Sequence, residues 1–108
     1  MAKKAKKAAK KATKKVANNT YLIWTLSCIC LVFHKTIILS FYENKILYNT
    51  GGYFTNTTKD RLNRFGLQSI KIYQQDFGWY FTYKGKQMPF IDNMVFDYNG
   101  TYLNKKED

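Results

Sequence analysis

The thirteen residues Tyr21–Phe33, YLIWTLSCICLVF, carry no charge, and after the break His34-Lys35-Thr36 the apolar pattern resumes as IILSFY to Tyr42. This run constrains the chain more than any other feature, because it is either a pair of buried strands or most of a membrane span. Thirteen uninterrupted residues fall short of the roughly 20 that a helix needs to cross a bilayer. Lys35 would stand two-thirds of the way along a 21–42 span, at a cost of about 2.5–3.5 kcal/mol near a helix centre. The run is rich in Ile, Leu, Val, Thr, Phe, Tyr and Trp and contains no alanine, the preference of strands. The soluble β reading is therefore preferred, and residues 21–42 as a span with Tyr21, Trp24, Phe41 and Tyr42 at its ends is the alternative. A secretory signal fits poorly, since His34-Lys35 occupies the place where small residues mark cleavage.

What precedes the run is of another kind. Eight lysines (Lys3, Lys4, Lys6, Lys7, Lys10, Lys11, Lys14, Lys15) and no acid fall in the first fifteen residues, so this end carries +8 of the net +11. It contains no aromatic, glycine or proline and too little apolar surface to offset the entropy of ordering, so residues 1–17 are expected to form a disordered basic tail. On a helix all eight lysines would share about half the circumference, with Ala2, Ala5, Ala8, Ala9, Ala12 and Val16 opposite. Like-charge pairs at i, i+4 oppose that helix by about 0.2–0.5 kcal/mol each, which predicts a coil that turns helical when a polyanion neutralises it. The Lys/Ala composition of residues 2–17 resembles the tails of linker histones and bacterial histone-like proteins. That resemblance implies binding to the nucleic-acid phosphate backbone without base recognition, as lysine is a point charge suited to phosphate. An anionic lipid surface would suit the same charges.

Residues 18–108 are expected to form one small aromatic-rich, β-dominated domain, giving an α+β, mostly β, antiparallel fold with one short helix near 58–65. TIILSFY and KILYNT flank Glu43-Asn44 as two strands, and Gly51-Gly52 turns into a further extended segment at Tyr53-Phe54-Thr55. KDRLNRF is the helix, with threonine available to cap it and Gly66 in the left-handed position after it. Beyond it, Asp76-Phe77-Gly78 and Lys84-Gly85 are turns, and Asn99-Gly100 between Phe96, Tyr98, Tyr102 and Leu103 is the strongest hairpin signal. Asp76-Phe77-Gly78 spells the magnesium-binding triplet of protein kinases, but no other kinase element accompanies it.

Few residues point to chemistry. Trp79, Phe81 and Tyr83 alternate onto one face, with Lys84 and Lys86 at its edge. That face is either the hydrophobic core or a platform on which single-stranded bases stack. Cys28 and Cys30 are read as packing residues that point apart and do not bridge, with palmitoylation relevant only beside a membrane. His34 has no second ligand and is read as a strand-end residue. No nucleophile–base pair, phosphate loop or ligand cluster is present, so no enzyme activity, cofactor or metal is expected. The sequons at Asn18, Asn56 and Asn99 matter only outside the cytoplasm. The expected function is sequence-independent polyanion binding by an accessory, packaging or structural subunit of a larger assembly, placed in the cytoplasm, nucleoid, nucleus or virion. The alternative is a single-span membrane protein with a polybasic inner end and a β-rich outer domain.

Overall fold

A computed structural model describes residues 13–103, which fold into nine strands and one helix. Strands β1 (Thr13–Ala17), β2 (Thr20–Trp24), β3 (Ile29–Phe33), β4 (Thr36–Phe41) and β5 (Ile46–Tyr48) run as an antiparallel meander. Helix α1 (Asn56–Phe65) follows, then β6 (Ile72–Gln75), β7 (Gly78–Tyr83) and β8 (Lys86–Pro89), and finally β9 (Met94–Phe96). The last strand pairs with β5, so the larger sheet has the order β1-β2-β3-β4-β5-β9, and β6-β7-β8 form a second sheet. The mostly β, antiparallel architecture with one short helix is as expected from the sequence.

In the amino-terminal third the structure has the preferred strands in place of the alternative span, and it moves the boundary of the tail. Residues 21–42 are not a helical span: they are most of β2 together with β3 and β4, and no helix among the described residues is long and apolar enough to cross a membrane. Ordered structure also begins before residue 18. Thr13–Ala17 pair with β2, setting Lys14 across from Leu22 and Lys15 across from Tyr21. The β-branched Thr13 and Val16 and the partner strand favour extension there over the helix expected on a polyanion. Residues 1–12, with the rest of that expectation, lie outside the described residues.

The core lies between the two sheets. Leu31, Leu39, Tyr48 and Met94 share one face of the larger sheet, and Ile72, Trp79 and Phe81 face them from the smaller one. Phe81 meets Phe96 edge-on at 5.6 Å, and Leu62 of α1 is fully buried in the same cluster. A register shift in the β3–β4 pairing lets the consecutive residues Ile38 and Leu39 both turn inward, while Ile37 stays 48% exposed. Such a bulge adds a core side chain without lengthening the strand.

The turns are tighter than their residues suggest. His34-Lys35, Asp76-Phe77 and Lys84-Gly85 each join paired strands through two residues of positive φ, the mirror-image turn whose twist matches a hairpin. Only the last uses glycine. The β4–β5 turn falls at Tyr42–Lys45 around Glu43-Asn44, as read from sequence. Asn99-Gly100 does turn the chain, but no two-stranded hairpin forms. The Asp97 carboxylate accepts from the Asn99 and Thr101 amides, and only the bridge between Phe96 and Tyr102 follows. Tyr53-Phe54-Thr55 is not a strand, because Thr55 caps α1 by accepting from the Thr58 amide at 3.2 Å.

Gly66 follows the helix in an extended, not a left-handed, conformation (φ −84°, ψ −159°). Glycine is required there for space: a Cβ would fall 2.5 Å from the Leu62 carbonyl oxygen and into the Tyr48 phenol. Tyr48 is fully buried and its hydroxyl accepts from the Leu67 amide at 2.7 Å. Burial pushes this phenol up to about 12, while the amide bond opposes the rise. An unfolded tyrosine ionises near 10. The neutral buried phenol therefore stabilises the fold fully below about pH 10, and the contribution is lost as pH rises to about 12. Unfolding free energy should fall by on the order of 2–3 kcal/mol across that window. In Tyr48→Phe this part of the loss should vanish, leaving the effects of Tyr98, Tyr102 and Cys30, whose phenols and thiol burial also raises. Denaturant titrations at the two ends of the window check it.

Candidate functional site

The eight lysines expected to hold an anion divide at residue 12. Lys3, Lys4, Lys6, Lys7, Lys10 and Lys11 lie outside the described residues. Lys14 and Lys15 stand exposed on β1, their side chains on opposite faces of the strand. On its other side β1 has no neighbouring strand among the described residues, so a row of main-chain donors and acceptors accompanies the two charges. The opposite edge of the sheet is covered, since the Leu103 amide donates to the Val95 carbonyl at 2.7 Å.

The aromatic face of β7 is core and not a platform. Trp79 is 7% exposed and Phe81 not at all. Phe54 lies edge-on to Trp79 at 4.9 Å, and the half-buried Tyr83 uses its hydroxyl to accept from the Tyr102 amide at 3.0 Å. A base could reach these rings only by opening the core, so stacking through Trp79, Phe81 and Tyr83 is not compatible with the fold.

The structure assembles a cleft that sequence reading missed. Where the Asn18-Asn19 and His34-Lys35 turns approach the first turn of α1, Asn18, Asn19, His34, Asn56, Asp60 and Arg61 border an open cavity of about 490 Å³. A second, more apolar cavity of about 460 Å³ continues past Phe33 and His34 toward Ile38, Thr50 and Tyr53. Arg61 is buried, and its chemistry explains why. Its Nε donates to the Thr20 hydroxyl at 2.9 Å, one Nη pairs with Asp60 at 2.7 Å, and the guanidinium lies over Phe33 at 5.6 Å. Thr20 in turn donates to the Asn18 carbonyl at 2.6 Å. Two of its partners, Thr20 and Phe33, come from the β1–β2–β3 meander, so Arg61 braces the helix against the sheet, with part of its hydrogen-bonding capacity already used. The sequence signal was only an Arg inside KDRLNRF, indistinguishable from a solvated helix cation.

Among the described residues no three His, Cys, Asp or Glu side chains are grouped so as to hold a metal ion. The family model described as Kyanoviridae Gp96 protein matches residues 1–97. The chain belongs to that family. The Gp96 match includes the lysine run, all nine strands and the helix, so the basic end and the β body belong to one family pattern. The family is a viral one, and the context that goes with it is a virus particle or a host cell. No curated protein and no solved structure matches the chain.

Proposed function

We propose that this Gp96-family chain is a non-enzymatic accessory, packaging or structural subunit that holds nucleic acid, without regard to base sequence, through its amino-terminal lysines. The observation that carries the reading is the placement of Lys14 and Lys15, exposed on both faces of β1, which has no further strand on its outer side among the described residues, directly after a stretch with six further lysines. A phosphate backbone lying along this edge meets charge from both sides, and the sequence upstream extends the same charge. Neither lysine reads a base edge, so affinity comes from counterion release. The viral family adds a setting in which a small basic protein meets phage nucleic acid.

Fluorescence anisotropy of the full chain with two unrelated duplexes of equal length tests this. Affinities within about threefold of each other, both falling steeply with salt, are the expected result. Failure to bind either duplex at low salt, or a tenfold preference between them, would overturn it. Binding to phosphatidylserine vesicles but not to DNA would reassign the lysines to anionic lipid.

A further inference from the structure

The cysteines do not point apart. Side chains two residues apart on an extended chain face the same way, and the Cys28 and Cys30 sulfurs lie 3.6 Å from each other. Cys30 is one residue out of step with the buried core residue Leu31, so the pair occupies the face of the larger sheet turned away from the second sheet. Cys30 is held by β3, between Ile23 of β2 and Ser40 of β4. Cys28 is held by Thr25, whose hydroxyl donates to the Cys28 carbonyl at 2.8 Å and accepts from the Cys28 amide at 3.1 Å. Both backbones are thus fixed with the thiols in contact. Cys28 is half-exposed and Cys30 buried.

We propose that Cys28 and Cys30 are a modification site, an oxidisable dithiol that closes to an intrachain disulfide when a low-molecular-weight disulfide reaches the Thr25–Cys28 turn. Extended residues two apart have Cα atoms about 6.6 Å from each other, inside the roughly 4.4–6.8 Å range that disulfides span. Closure needs the side chains to rotate and the sulfurs to approach from 3.6 Å to about 2 Å. The accessible Cys28 thiolate attacks one sulfur of the oxidant, forming a mixed disulfide and releasing one small thiolate. The Cys30 thiolate then attacks the Cys28 sulfur and releases the second. The two protein thiols lose two electrons and two protons, and the oxidant takes them up as two small thiols. The order follows from burial, which shields Cys30 and pushes its thiol up so that little thiolate forms before its neighbour is activated. Contact between the sulfurs gives the second step a high effective concentration. A ring closed over a single residue departs from relaxed disulfide geometry and is readily reduced again, which makes the modification reversible.

Treating the full chain with oxidised glutathione, then quenching, alkylating and measuring intact and peptide masses, tests the proposal. The expected product is a monomer lacking two hydrogens, with neither cysteine alkylated, restored by dithiothreitol. Cys30→Ser should accumulate a stable glutathione adduct on Cys28, whereas Cys28→Ser should react at Cys30 at least about tenfold more slowly. Both thiols remaining alkylatable in the wild type, a covalent dimer, or equal adduct rates in the two variants would each overturn it. The wild-type measurement stands even if a serine variant fails to fold, which circular dichroism reveals.

Discussion

Phe81→Ala is expected to remove about 3–5 kcal/mol of folding stability, a large share of the roughly 5–15 kcal/mol available to a small domain. The ring has no solvent exposure and touches the second sheet's counterpart at Phe96, with Tyr102 edge-on at 6.1 Å and Tyr83 at 6.3 Å on its flanks. Deleting it leaves a cavity where the two sheets meet, and the strand pairing on either side limits how far that space can collapse. Thr82→Ala, on the exposed side of the same strand, should change stability by no more than about 0.5 kcal/mol. Chemical denaturation of the three proteins side by side measures both. Equal midpoints for Phe81→Ala and Thr82→Ala would mean that the sheets do not share a core.

The second large effect concerns salt. If all eight lysines neutralise phosphates on duplex DNA, the logarithm of affinity falls against the logarithm of salt with a slope of about −7. Replacing Lys3, Lys4, Lys6, Lys7, Lys10 and Lys11 by glutamine leaves the two lysines of β1 and should reduce the slope to about −2. Replacing Lys14 and Lys15 alone should reduce it only to about −5. Titrations at several salt concentrations separate the two groups. A slope that either set of substitutions leaves unchanged would remove that set from the contact. With six or more contacts in play, the wild-type affinity should drop by about 10³–10⁵ between 50 and 200 mM salt.

The sequence made the β class legible because its signals were local. The run after Thr20 is built of strand-preferring residues, and Glu43-Asn44 and, farther on, Asp76-Phe77 stand where the chain turns. The helix was legible for the same reason, though its cap proved to be Thr55 and Gly66 proved necessary for space. What escaped was every feature set by residues far apart in the chain. Nothing near Met94 announces that β9 pairs with β5, and nothing near Asn99-Gly100 announces that Phe96 is already committed to that pairing. The alternation of Trp79, Phe81 and Tyr83 defined a face but not what covers it, because the cover comes from Phe54, Phe96 and Tyr102. Arg61 escaped as well, since its partner Thr20 lies 41 residues away. The cysteines were misread on a local matter, the parity of an extended chain.

The two borders of the larger sheet differ in what closes them. Beyond β9 the returning chain at Tyr102 and Leu103 occupies the hydrogen-bonding positions, whereas beside β1 no further strand stands among the described residues, and Lys14 and Lys15 are exposed there. Adding one molecule's first strand to another's would bring the two pairs of lysines together, and their mutual repulsion would oppose that pairing. The protection is ionic and therefore conditional. The same dissolved ions that would loosen the proposed hold on a phosphate would also weaken this barrier between one copy and the next.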